Sequence, residues 1–135
     1  MADVKIIDID SEQWNMKDQK ARDDIEALNT VQSATVSSKG LTFSFRKVGK
    51  VVTVNVYGRW LDPTTTGATN LAIIPAGFRP AIDTRAILID NSSADMPIGQ
   101  IPFRDVTGNY QIDIYSSQGI KHNNPYQASA TWISE

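Results

Sequence analysis

The chain carries one histidine, His122, in the run Gly119-Ile120-Lys121-His122-Asn123-Asn124. A Ser-His-Asp triad would have to use it, yet no Gly-x-Ser-x-Gly turn exists to present a serine. There is no cysteine, so a lone imidazole cannot complete a His- or Cys-based metal site. Two carboxylates at a fixed separation could hydrolyse a glycan. Asp62, Asp95, Asp105 and Asp113 are available, but no spacing in the sequence couples any two of them. The run Asp90-Asn91-Ser92-Ser93-Ala94-Asp95 resembles a calcium loop only loosely and lacks its closing glutamate, whereas it suits a plain turn well. No Gly-rich phosphate loop is present. These residues predict binding rather than catalysis, with no metal and no cofactor.

Binding a sugar asks for other groups: an aromatic face for the apolar side of a pyranose, and planar polar side chains that fork to neighbouring hydroxyls. Trp60 and Asp62 adjoin one polar loop, and His122, Asn124 and Tyr126 belong to another. Loops on rigid β-scaffolds are where binding residues gather. For His122 a plain solvent-exposed loop position is an equally simple reading, as core packing is for each aromatic.

The elements that must position these groups come in two parts. Residues 1–32 hold 12 of the 28 charged residues and no glycine or proline; residues 33–135 hold all 8 glycines and all 6 prolines. A charged segment free of both favours helix, and punctuation by both favours strands and turns. Asp10 and Gln13 form a capping-box pattern, with Ile9 and Trp14 at the staple positions. Trp14, Ala21 and Leu28 fall seven apart, a short and imperfect heptad seam. The spacing predicts a helix over 11–31. Such a helix is marginal alone, so it either lies on its own domain or associates with other copies. The strand-like Val4-Lys5-Ile6-Ile7 before it fits an attachment element.

From residue 40 onward the pattern is that of strands. Leu41, Phe43 and Phe45 alternate with polar residues, as do Val52, Val54 and Val56, with a hairpin turn at Lys47 to Lys50. Further strands are expected at 71–74, 84–90, 98–106, 110–114 and 126–132, with polar loops at 61–69 and 116–125. Pro102 argues for an edge position. Seven or eight short strands imply an antiparallel sandwich or barrel over 33–135. In that pattern Tyr110, Ile112 and Ile114 face inward and Asp113 lies on the outer surface. A net charge of -2 provides no basic field for nucleic acid. No apolar run approaches the roughly 18 residues of a membrane span, and the acidic start MADVKIIDID does not read as a signal peptide.

This order of elements resembles the receptor-binding (lower baseplate, tail-tip) proteins of tailed phages infecting Gram-positive bacteria. The resemblance rests on the helix with D-Q-K-A-R-D-D-I-E-A-L-N, on I-I-P-A-G-F-R-P-A at 73–81, and on Y-Q-I-D-I-Y-S-S-Q-G at 110–119. The chain differs in lacking a tryptophan within 116–125 and a linker domain between helix and head. The resemblance implies a homotrimer, with 1–32 docking to an upper baseplate protein and 33–135 forming a head that recognises a host cell-wall saccharide. It implies a place in the virion after synthesis in the host cytoplasm. It also implies saccharide contacts at Gln111 and Asp113, joined by His122; the loop reading adds Asn124, Tyr126, Trp60 and Asp62. On that basis, removing Asp113 should end binding and leave the melting temperature nearly unchanged. A purely structural baseplate or adaptor protein without its own glycan site is the alternative, and an enzyme acting on wall polymer a third.

Overall fold

The computed structural model describes residues 19, 20, 22, 30–92 and 94–135. The chain divides into two units, Met1–Thr30 and Val31–Glu135. In the first, Gln19, Lys20 and Arg22 have helical backbone and are exposed. The attachment segment, the rest of the expected helix and the trimeric bundle lie outside the described residues.

The second unit is mainly β. Its strands are β1 (Val31–Ser38), β2 (Leu41–Val48), β3 (Val51–Arg59), β4 (Thr65–Ile73), β5 (Thr84–Asp90), β6 (Met96–Val106), β7 (Asn109–Ile120) and β8 (Pro125–Ile133). They form one antiparallel sheet in the order β1-β2-β3-β8-β5-β6-β7-β4. The sheet curls into a half-barrel. Phe43 and Phe45 of β2 meet Phe103 of β6 edge-on at 6.5 and 6.4 Å, although those strands stand far apart in the sheet order. Trp132 of β8 lies 4.8 Å from Phe103 and 6.2 Å from Phe45. Where the curl brings the two edge strands together, Ser38 Oγ of β1 donates to the Leu71 carbonyl of β4 at 2.9 Å.

The period-2 pattern places its apolar set inside. Leu41, Phe43, Phe45, Val52, Val54 and Val56 are buried, as are Leu88, Ile101, Ile112, Ile114, Tyr126 and Trp132. Each such side chain contributes roughly 1.5–3 kcal/mol on leaving water. The β2–β3 turn is set by Gly49, whose φ of 61° suits the first central position of a two-residue hairpin. The segment Ile74 to Pro80 closes one end of the core. Phe78 is buried against Phe45 at 5.9 Å, its carbonyl accepts from Trp132 Nε1 at 2.8 Å, and Arg79 lies 4.5 Å over the Tyr110 ring. In this structure the Pro-Ala-Gly-Phe-Arg-Pro run therefore serves packing.

Four expectations are corrected. Val31 and Gln32 are strand, not helix: β1 pairs with β2 over all eight of its residues, from Val31↔Val48 to Ser38↔Leu41. Only Ala34 and Val36 of β1 pack on the core, so its apolar signal is faint. The loop expected at 61–69 is strand from Thr65, in keeping with the β preference of a threonine-rich run. The loop expected at 116–125 shrinks to 121–124, because β7 runs on to Ile120. Pro102 is not on an edge strand, since β6 lies between β5 and β7. Its pairing with β7 skips from Gln100↔Tyr115 to Phe103↔Ile112, so the residue without an N–H sits where the ladder lapses.

Candidate functional site

The connections following β1, β3, β5 and β7 fall at one end of the sheet, because alternate strands run antiparallel. Five of the seven sequence-predicted residues meet there. Trp60 N donates to the Asn124 carbonyl at 3.2 Å, and Asn123 N to the Trp60 carbonyl at 2.6 Å, which ties the β3–β4 segment to the β7–β8 loop. Across this tie, His122 Nδ1 lies 3.0 Å from the Asp62 carbonyl. A carbonyl only accepts, so Nδ1 is the donor of this bond and Nε2 is the ring nitrogen left for a ligand. The Asp62 carboxylate takes Lys39 Nζ from the β1–β2 turn.

Asn124 is held from a fourth connection, that between β5 and β6. Its amide donates to Asp90 Oδ2 at 3.3 Å and to Ser92 Oγ at 3.5 Å, while Ser92 N donates to Asp90 Oδ1 at 2.8 Å. Partial burial works to raise the Asp90 pKa, but hydrogen bonds from Ser92 and Asn124 together with Lys121 outweigh it, leaving the carboxyl below its ordinary value. The end of the sheet is thus a polar rim of four connections cross-tied by backbone and side chain, with His122 exposed on it.

The two aromatics of the set lie under this rim. Trp60 is fully buried, with Nε1 donating to the Pro63 carbonyl at 3.1 Å. Tyr126 is 2% exposed, and its hydroxyl accepts from Lys121 N at 2.7 Å. Burial pushes the Tyr126 phenol pKa up. Both rings brace the loops from beneath and present no face to solvent.

Gln111 and Asp113 sit elsewhere. Asp113 lies seven strand steps before Ile120, on the order of 20 Å from the rim at about 3.3 Å per residue. It occupies the outer face, as the alternation requires, yet is 5% exposed. Asn70 Nδ2 and Gln111 Nε2 donate to Oδ1 at 3.0 and 3.2 Å, and Arg104 donates to Oδ2 through Nε at 3.2 Å and Nη2 at 3.0 Å. Donors from β4, β6 and β7 therefore occupy this carboxylate. One groove does not contain all seven residues.

A surface that the sequence reading missed adjoins the rim. β5 and β8 share only the pairs Ile89↔Gln127 and Asp90↔Tyr126 before they part. A groove of about 620 Å³ opens there, lined by Asn55, Tyr57, Arg85, Ile87, Gln127 and Ser129 among others. It begins at the rim, where Asn91 Nδ2 donates to Gln127 Oε1 at 3.0 Å. Apart from the core residues Val56 and Ala128, it is lined by outward members of strands, passed over in the sequence as the other half of an alternation. The available signal was Tyr57 and Ile87, large apolar groups in register positions where the core already has its share.

Among the described residues, no three His, Asp or Glu side chains cluster as a metal site would need. No family model and no curated protein matches the chain.

Proposed function

We propose that the chain is a receptor-binding protein of a tailed phage, recognising a host cell-surface saccharide through its β head. In this reading three copies assemble through residues 1–30, which dock to the baseplate, and the protein acts by binding rather than by catalysis. The observation that carries it is the polar rim, where the Asp62 carboxylate of the β3–β4 connection meets exposed His122 and Asn124 of the β7–β8 loop on a rigid sheet. Such groups accept from and donate to vicinal hydroxyls without reorganising the scaffold. A neutral hydrogen bond contributes about 0.5–1.5 kcal/mol and a charged one about 1.5–3. One rim is therefore a weak site, and several heads on a particle supply the avidity.

A glycan array probed with the full chain tests the reading, together with competition by purified protein against phage adsorption to host cells. Binding to a defined set of wall glycans, weakened by His122→Ala and Asn124→Ala, is the expected result. Absence of binding to any glycan, with adsorption unaffected, would leave a purely structural baseplate or adaptor role. Release of reducing ends from wall polymer would instead establish an enzyme.

A further inference from the structure

The outer face of β1, β2, β3 and β8 is a field of small polar side chains, among them Thr35, Ser44, Thr53, Ser129 and Thr131. At the end of this face away from the rim Val31, Val48, Val51 and Ile133 are also exposed; nearer the rim, at the groove between β5 and β8, stand Tyr57, 54% exposed, and Ile87 of β5, 65% exposed. Around them the register builds a compact set. Tyr57 stands opposite Gln127 and Asn55 opposite Ser129, so a phenol ring, two amides and a hydroxyl share one patch of two strands. Arg85 and Ile87 form the facing wall on β5, with Arg85 Nη1 donating to Gln100 Oε1 at 3.2 Å. Among the described residues no carboxylate lines the groove, and Arg85 is the one charged side chain there.

Resting on the saccharide reading above, we infer that this groove is a second subsite, for a sugar unit that carries an anionic group. Tyr57 supplies the stacking face, Asn55 and Gln127 fork to ring hydroxyls, and Arg85 takes the carboxylate or phosphate in its planar fork. The groove meets the rim at Gln127, so a polymer lying along the outer face engages both. Tyr57 provides what the buried rings of Trp60 and Tyr126 do not, an apolar plane open to solvent.

The test is an amide chemical-shift titration of the full chain with D-glucose, D-glucuronate and D-glucose 6-phosphate, paired with glycan-array binding of the variants. The anionic sugars are expected to shift Tyr57, Ile87, Gln127 and Ser129 and to bind about tenfold more tightly than glucose, the scale of one charged hydrogen bond. A response to glucuronate alone assigns the anion as a carboxylate, and to the phosphate alone as a phosphoryl group. Arg85→Gln should remove the difference between anionic and neutral sugars. Tyr57→Ala should weaken all binding while Tyr57→Phe keeps it. Equal affinity for glucose and the anionic sugars overturns the charge assignment. Array binding retained in both Tyr57→Ala and Arg85→Gln, or shifts confined to Asp62, His122 and Asn124, overturns the groove and leaves the saccharide reading standing. If the parent chain binds no sugar and no arrayed glycan, that reading fails and the subsite with it.

Discussion

Arg104 closes on Asp113 through two nitrogens, Nε at 3.2 Å and Nη2 at 3.0 Å from the same carboxylate oxygen, and so links β6 to β7 where their backbone ladder lapses. The arginine is partly open to solvent and the aspartate is not, with side-chain exposures of 41% and 7%. The pair works as a cross-strand brace beside Pro102, where no N–H can serve. Asp113→Ala strands the donors of Arg104, Asn70 and Gln111. Because Arg104 can turn to water, the loss should be about 1–3 kcal/mol, a fall in Tm of roughly 5–15 °C for a unit of this size. Thermal denaturation of the variant checks this. It reverses the expectation, drawn from reading Asp113 as an exposed saccharide contact, that the substitution would leave melting nearly unchanged. A variant that melts with the parent would show the cluster to be dispensable.

Trp60 separates stability from binding at the rim. Trp60→Ala empties a fully buried site and should cost about 3–5 kcal/mol. Trp60→Phe keeps most of the volume and loses the bond to the Pro63 carbonyl, about 1 kcal/mol. Urea titration gives both values. Glycan binding by Trp60→Phe should stay near that of the parent, whereas a stacking role would make it fall steeply.

Gly99 tests how closely β6 and β7 approach. A Cβ at this position would lie 2.0 Å from the Tyr115 carbonyl oxygen, a backbone atom that cannot swing aside. Gly99→Ala must spread the two strands, at a cost of about 1–3 kcal/mol or more. Hydrogen exchange should show lost protection centred on Tyr115 and its neighbours, with β2 and β3 little changed.

The core was legible because alternation over Leu41–Phe45, Val52–Val56 and Tyr126–Trp132 is unbroken and each inward set is apolar, with large residues at both ends of the last. β1 was not, because its inward residues Ala34 and Val36 are small or few and a preceding helical pattern overran it. The rim was legible in part: His122, Asp62 and Asn124 are polar residues near turn formers, and they do converge. Burial of Trp60 and Asp113 was not, because it depends on which chain segments fold over them. Alternation gives the face a side chain takes, and says nothing of what covers that face. The same limit hid the groove, which exists only because β5 and β8 diverge after two pairs.

The rim should give the protein a defined acid limb. The Asp90 carboxyl is held below its ordinary value of 3.8, because the hydrogen bonds from Ser92 and Asn124 outweigh burial. A lowered folded-state pKa means that the stabilisation is present above the unfolded value and is lost as pH falls through the folded one. Below about pH 4 the tie from Asp90 to Asn124 should weaken. Stability of the parent measured by urea from pH 6 to pH 2 should drop more steeply than that of Asp90→Asn, which has no proton to take up there. Tyr126 has the opposite sign: its pKa is raised by burial, so its contribution is intact below the ordinary value of 10.0 and fades as pH climbs through the folded value. Tyr126→Phe should remove that part of the alkaline loss, at the cost of the acceptor for Lys121 N.

The boundary between the two units decides how the assembly proposal is best tested. A head cut at Ser33 would lose the pairs Val31↔Val48 and Gln32↔Lys47, and with them the first part of β1. A head beginning at Val31 keeps the whole strand. If the heptad seam of Trp14, Ala21 and Leu28 drives association, the full chain should sediment as a trimer at micromolar concentration and the chain from Val31 as a monomer. Both should show the same β-sheet circular dichroism. Replacing Leu28 with Asp in the full chain should give the monomer as well, since one carboxylate per copy at a packed seam is costly to desolvate. A trimeric head without residues 1–30 would move the contact to the head's own sides. A monomeric full chain would remove the trimer from the proposed function altogether.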